Sequence, residues 1–323
     1  MRPILKTSLA AILTLCLASP SIAGTLTIGH TVWVGFGPLY LARDLGYFKE
    51  GGLTLELPTN ADISTSLAAQ ASGRIDGSAG TVDELLQYRS PEFCFKIVLA
   101  LDESHGGDGV LVDKSIHSFA DIKGKTVALD EGATSQFWFN YLLKQHGMSQ
   151  RDVTISSMSA DDAAAAFIAG RVPVAVTWEP HLTFARTHNT GSVLVDSSTT
   201  PEMITDMVAL SCKVIQEKGP DIKALVAGYY KALDFIKADP VKASAIMAAG
   251  VGGFLSKPED IADAMRGVRF YDKPMNAAFM GTLQKPGGVA RTIAFGNEVW
   301  GDLGKLKAPV KYDDVIDPSF VAP

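Results

Sequence analysis

The sequence predicts an α/β protein of two similar lobes. Three observations predict it. The chain has 323 residues, 47% of them apolar, which suffices for two cores of domain size. Strand and helix patterns alternate from residue 26 to residue 178. One order of elements also occurs twice: "LAAQASGRIDGSAGT" and "AAAAFIAGRVPVAVTW" each read as a small-residue helix, a Gly-Arg turn and a buried strand.

The N-terminus reads as a secretory signal peptide over residues 1–23. Arg2 and Lys6 precede an apolar run over 8–18, and Ser21-Ile22-Ala23 is a small-residue cleavage site before Gly24. The run is short for a membrane span. Leu15 before Cys16 is too large for the usual lipoprotein pattern. The mature chain is therefore expected to be exported and soluble, acting in the periplasm. Loss of Arg2 and Lys6 takes the formal net charge from −6 to −8. With no basic stripe or tail, nucleic acid is excluded as a partner.

The elements follow in order. Residues 26–30 form the first strand. Pro38 opens a helix at the position where its missing N–H costs nothing, and Gly46 stops it. "LTLEL" is a strand, 61–73 a helix and 76–81 a short buried strand. Thr81 is a good N-cap for a helix over 82–88. "FKIVLAL" and "GVLVDK" are strands joined through 102–109. The order then restarts: "KTVALD" is a strand, and a helix follows with Thr134 or Ser135 as N-cap and Gly147 as stop. "DVTISSM" is a strand, "DDAAAAFIAGRV" a helix and "PVAVTW" a strand. After Trp178 the chain reads as helical, with Leu225, Tyr229, Leu233 and Ile236 on one face of a long helix. Residues 308–323 read as an extended tail on the surface. Cys94 and Cys212 lie in apolar contexts, which favour two buried free thiols over a pair; spacing alone fixes no connectivity.

Four segments carry candidate binding chemistry. The first is "VWVGFGP". Gly35 and Gly37 resemble part of a dinucleotide fingerprint, with Glu56 at the spacing of a ribose-binding acid. Tyr40 stands where the third glycine is needed, which excludes that reading. Trp33 and Gly35 remain as a ligand-facing aromatic and backbone. Phe36 reads equally as pocket wall or core. The second is the pair of helix starts at Thr81 and at Thr134-Ser135, where hydroxyls and free N–H groups meet the helix dipole; ordinary capping is the competing use. The third is Trp178-Glu179 at the end of a buried strand. The fourth is "SHGGDG", whose glycines permit a hinge and whose Asp108 suits a cation or a turn cap. No H-E-x-x-H, C-x-x-C or G-x-S-x-G motif occurs, and the six histidines show no metal spacing. A binder without metal or cofactor is expected, not an enzyme.

Six segments together carry a resemblance: "GPLYLARDLGYFKEGGLTLEL", "LAAQASGRIDGSAGT", "FADIKGKTVALDEGATSQFWFNYLLKQHGM", "DVTISSM", "AGRVPVAVTWEP" and "ALDFIKADPVKASAIM". The chain resembles periplasmic substrate-binding proteins of ABC importers, of the nitrate/sulfonate/taurine type, a group related to thiamine-pyrimidine-precursor binders. The resemblance implies a two-lobed type II periplasmic-binding-protein fold with ligand in the interlobe cleft. It implies a discontinuous first lobe, residues 24–111 plus about 205–323, and a second lobe over about 112–204. It further implies a monomer delivering ligand to a membrane permease with its ATPase. The implied pocket includes the loop after the first strand, Thr81, the turn from Gly132 to Ser135, and Trp178 with Glu179. One departure stands out: "DEG", with Asp130 and Glu131, precedes the second-lobe turn, and the pocket segments carry acids but no Lys or Arg. An unpaired acid beside a bare anion is costly, so an amine, an amidine-bearing heterocycle or a zwitterion is expected, stacked on Trp33 or Trp178. Related enzymes that make the thiamine pyrimidine use a reactive Lys and a His inside cells, which the signal peptide disfavours.

Overall fold

A computed structural model describes residues 24–188 and 190–322. The signal peptide expected over 1–23 lies outside the described residues. Eleven strands are described: β1 Gly24–Gly29, β2 Leu53–Glu56, β3 Gly77–Thr81, β4 Phe95–Ser104, β5 Asp108–Asp113, β6 Thr126–Leu129, β7 Thr154–Ser157, β8 Val174–Trp178, β9 Gly191–Asp196, β10 Thr205–Ser211 and β11 Val268–Phe270.

They form two sheets. The six-stranded sheet runs β11-β4-β10-β3-β1-β2, and the five-stranded sheet runs β7-β6-β8-β5-β9. The two orders correspond. In each, three parallel strands (β2-β1-β3, β7-β6-β8) meet one antiparallel strand, β10 or β5, which is followed by β4 or β9. The parallel part is built from strand–helix–strand units, whose helices cover the faces. Both antiparallel strands sit next to the segments that pass between the sheets. β5 leaves β4 after three residues and enters the second sheet; β10 returns the chain to the first. The helices flanking the parallel strands bury apolar faces in one large core around β1, β3, β4 and β10, and two smaller ones around β5, β6 and β8.

Three expectations need correction. First, the chain is not helical throughout after Trp178: β9, β10 and β11 follow it. β10 is an interior strand, paired through Val208↔Ala79 on one side and Val208↔Leu99 on the other. The strand is seven residues long with a four-residue apolar run, Met207 to Leu210, a length at which periodicity does not separate strand from helix. Second, the C-terminal segment is not a surface tail. Val315 and Ile316 are fully buried, Ile316 bridges Ile97, and the Asp317 N–H donates to the Ile97 carbonyl at 2.9 Å. Third, Cys94 and Cys212 are a disulfide, not free thiols, with Cα atoms 5.5 Å apart. They meet because β4 and β10 pair side by side (Ser211↔Phe95), a neighbourhood that only the β10 strand assignment reveals.

The helix Val289–Asp302 joins the two halves. Phe295 packs on Phe137 and Tyr141 with ring centroids 5.3 and 5.1 Å away, and Trp300 Nε1 donates to the Asp83 carbonyl at 2.9 Å. Phe137 belongs to the core of the second sheet, while Asp83 lies in the first turn of the helix after β3 of the first.

Candidate functional site

β3 ends at Thr81 and the helix Val82–Tyr88 follows at once; β6 ends at Leu129 and the turn 130–133 leads into the helix Thr134–Gln145. These two strand-to-helix junctions face each other. The Thr81 and Thr134 hydroxyls are 2.7 Å apart, and Gln87 Nε2 donates to the Gly132 carbonyl at 2.9 Å. Neither threonine makes the side-chain cap expected of it. Thr81 donates to Glu84 Oε2 at 3.1 Å; Ala133, not Thr134 or Ser135, is the N-cap of the second helix. The hydroxyls serve the contact between the halves instead. Gly132 has φ +88°, and a Cβ there would lie 2.6 Å from Lys305 Nζ, so the turn requires glycine.

Beside this contact a cavity of about 570 Å³ opens between the two sheets. That volume suits a small organic ligand. Trp33, Tyr88, Trp178, His181 and Phe254 supply aromatic surface. Asp62, Glu84, Asp108, Asp130, Glu131, Asp161 and Asp206 supply carboxylates, and no Lys or Arg lines it. Another hollow, about 590 Å³, lies between Phe119, His146 and Val195; it gathers no acids.

The cavity brings together six of the ten residues expected from sequence: Trp33, Thr81, Asp108, Gly132, Thr134 and Trp178. The other four do not line it. Phe36 is fully buried and packs on His30, with ring centroids 5.0 Å apart. Gly35 is buried against Asp102, where a Cβ would fall 1.8 Å from a carboxylate oxygen. Ser135 is buried with an unpartnered hydroxyl. Glu179 turns away to pair with Arg186 and to accept from the Thr183 N–H at 3.0 Å.

The most deeply placed acids are Asp206 on β10 and Asp108 at the start of β5, each only 6% exposed. Asp206 accepts no hydrogen bond from the described side chains or backbone. Burial raises its pKa well above the carboxylate range, and Asp102, Glu84, Asp108 and Asp83 raise it further by repulsion. Burial pushes Asp108 up to about 7, against the nearby Ser104 hydroxyl and with repulsion from Glu84 and Glu179. Burial likewise pushes Glu84 up to about 7, opposed by the Thr81 hydroxyl. Asp102 behind Trp33 also reaches about 7 through burial, although Trp33 Nε1 donates to its Oδ1 at 3.1 Å. Nearer the mouth, Asp130 is half-buried and raised by burial; Lys305 pulls it down, and Asp161 and Asp62 push it up. Among the described residues no three His, Cys, Asp or Glu side chains are arranged to hold a metal ion. The site therefore gathers buried carboxyl groups that hold their protons more tightly than usual and would ionise readily beside a cation, walled by flat aromatic rings.

Sequence reasoning missed Asp206, Glu84, Asp161, Tyr88, His181 and Phe254. An acid inside the apolar run "ITDMVALS" was the available signal for Asp206: a strand interior rarely holds a charge without a use.

A family model described as NMT1/THI5 like matches residues 33–243. A binding protein of Brucella abortus (strain 2308) is 23% identical over 220 residues, 67% of each chain. The 4-amino-5-hydroxymethyl-2-methylpyrimidine phosphate synthase of Aspergillus parasiticus is 33% identical over 119 residues, 36% of this chain and 34% of that one. The periplasmic aliphatic sulphonate binding protein SsuA from Escherichia coli superposes with a TM-score of 0.71 at 18% identity, over 91% of this chain and 92% of that one. That likeness shows the fold, the two-lobed α/β periplasmic-binding-protein fold.

Proposed function

Because the chain belongs to the NMT1/THI5-like family, we infer that it is an extracytoplasmic solute-binding protein of an ABC-type importer, whose solute is a small amine- or amidine-bearing organic cation. One observation carries the choice of solute: seven acids and no Lys or Arg line the cleft between the sheets. A sulfonate or nitrate there would lie among carboxyl groups with no Lys or Arg side chain lining the cavity to compensate it. A zwitterion would have only the backbone N–H groups of the two helix starts for its anionic end.

The binder reading is supported by relatives that are binding proteins and by their shared fold. In this reading one lobe carries the six-stranded sheet and the other the five-stranded sheet. Ligand contacts on both stabilise a closed state, which a permease with its ATPase then recognises. The disulfide supports an oxidising compartment outside the cytoplasm. No described helix is long and apolar enough to cross a membrane. The synthase-like stretch gives the enzyme reading little support, since no lysine lines the cleft.

A thermal-shift panel tests the reading. Alkylamines, amidines, guanidines and an aminopyrimidine are expected to raise the melting temperature, by the equivalent of about 2.7 kcal/mol at a hundredfold excess over Kd. Taurine, alkanesulfonates and nitrate are expected not to. Stabilisation by the anions alone would overturn the choice of solute. Turnover of a stabilising compound would overturn the binder reading.

A further inference from the structure

Two aromatic rings that line the cleft meet across it. Phe254 comes from the first half, between Val251 and Leu255, which are both buried in the core of the six-stranded sheet. His181 comes from the second half. It starts the helix His181–Thr187, whose Leu182 and Ala185 are buried against β5, β6 and β8. The two ring centroids are 6.1 Å apart, and both residues line the cavity. Trp178 lies edge-on to His181 at 6.5 Å. Trp33 reaches the same region: a Cβ on Gly107 would lie 3.1 Å from its ring, and the Gly107 carbonyl accepts from the Glu179 N–H, next to Trp178, at 2.8 Å. Val32, beside Trp33, would meet a Cβ on Gly253 at 3.3 Å. The contacts thus close a circuit from Val32 and Trp33 through Trp178, His181 and Phe254. At Gly107 the halves are joined by the chain itself, which passes there from β4 to β5. At Phe254 and His181 they are joined by ring contact.

The backbone before Phe254 explains how its ring is presented. The helix Pro240–Val251 ends at Gly252, with φ +68° and ψ −156°, a region that essentially only glycine adopts. Gly253 follows with φ +59°. Together they turn the chain so that Leu255 returns to the core, while Phe254 is left 39% exposed at the cavity. The turn is anchored by buried residues on both sides, so it is a fixed arm and not a loose flap. A ring this exposed adds little to the core, and its use lies in the cleft.

Resting on the binder reading above, we propose that Phe254 is the closing residue of the cleft: carried on the Gly252-Gly253 arm of one half, its ring seats on His181 of the other when the halves come together, and the pair shuts solvent off from Trp33, Trp178 and a solute lying against them. Closure then comes from the approach of the halves, with the arm holding the ring in place to meet its seat. The choice of solute does not enter, because the seal is made by apolar ring surface and not by the cleft acids.

Acrylamide quenching of tryptophan emission tests this on the purified protein with no solute added. Its failure is therefore distinct from failure of the binder reading, which the thermal-shift panel decides. Of the four tryptophans, Trp138 and Trp300 are fully buried, so the quenchable emission comes from Trp33 and Trp178 in the cavity wall. Phe254→Ala is expected to raise the Stern–Volmer constant about twofold, and Phe254→Tyr, which keeps a ring, to leave it unchanged. Gly252→Ala is strained in this backbone and is expected to raise the constant as Phe254→Ala does, although the ring is still present. In a His181→Ala background, Phe254→Ala is expected to add little, because the seat is gone. Circular dichroism melts check folding, and truncating the exposed Phe254 should leave the melting midpoint unchanged. An unchanged quenching constant in a folded Phe254→Ala variant overturns the proposal. So does a full-sized Phe254→Ala effect in the His181→Ala background, since the ring would then shield the tryptophans without meeting the other half.

Discussion

Gly35 is a residue whose role changed between sequence and structure. In "VWVGFGP" it reads as backbone offered to a ligand. In the fold it is buried in the turn Val34–Phe36 against the Asp102 carboxylate, which in turn holds the Trp33 indole at 3.1 Å. The glycine therefore acts through Trp33, by leaving room for the carboxylate that orients it. Gly35→Ala is expected to cost about 1–3 kcal/mol in stability through overpacking. It should also loosen Trp33, read as a red-shifted and more quenchable tryptophan emission in denaturant-free buffer. An unchanged unfolding midpoint and spectrum would refute this account. Tyr40 shows a similar shift of role. Its hydroxyl lies 2.8 Å from His30 Nε2, while His30 Nδ1 faces the Thr31 carbonyl, so the neutral imidazole donates at Nδ1 and accepts from the tyrosine. Burial holds the His30 pKa below its usual value, consistent with that neutral form. The residue that excluded a dinucleotide turn thus anchors the helix it sits in. Trp33, Asp108 and Trp178 were legible as pocket residues because each follows a strand end or a glycine turn. Asp206 was not, because its exposure to the cleft depends on two strands distant in sequence.

At the scale of elements, β10 decides most of what the sequence left open. It pairs with β3 and β4, carries Asp206 into the cleft and brings Cys212 beside Cys94. The disulfide spans 118 residues, a segment that includes every strand of the second sheet. Such a crosslink stabilises chiefly by restricting the unfolded chain, and more for longer loops. Replacing both cysteines by serine is expected to lower stability by about 2–5 kcal/mol in urea unfolding. Because the bridge lies at the end of β10 away from Asp206, ligand affinity should stay within twofold. A large affinity loss in a folded double variant would show that the bridge also shapes the cleft. The helix Val289–Asp302 was wholly missed as an element. Its apolar residues fall on one helical face, and that face packs on both halves, through Phe295 and Trp300.

For the whole molecule, the acidic cleft sets the response to pH. Glu84, Asp102 and Asp108 are pushed up to about 7 by burial, and Asp83 and Asp206 are raised as well. In the unfolded chain the same groups release their protons near 4. Between about pH 4 and 7 the folded empty protein therefore binds more protons than the unfolded chain, so these groups make stability fall as pH rises through that window. Asp113, Asp121 and Asp152, held low by hydrogen bonds, act in the opposite sense below about 4, and His30 and His181, held low by burial, do so below about 6.5, where the five raised carboxyl groups outnumber these two histidines. The empty protein is thus expected to melt higher at pH 5 than at pH 8. A bound cation should flatten or reverse the trend, and its affinity should fall as pH drops below 7 because it competes with protons. Melting curves across pH 5–8, with and without amine, check both; an empty protein that melts progressively lower from pH 8 to pH 5 would contradict the buried-acid account. Periodicity, glycine stops and a duplicated order of elements sufficed by themselves for the α/β class, the two-part plan and most elements before Trp178, because those signals are local in the chain. Only the tertiary structure decided the interior place of β10, the disulfide, the buried C-terminal segment and the full set of cleft acids. Each depends on pairing between segments a hundred or more residues apart, and whether a carboxylate is buried and uncompensated is a property of everything packed around it.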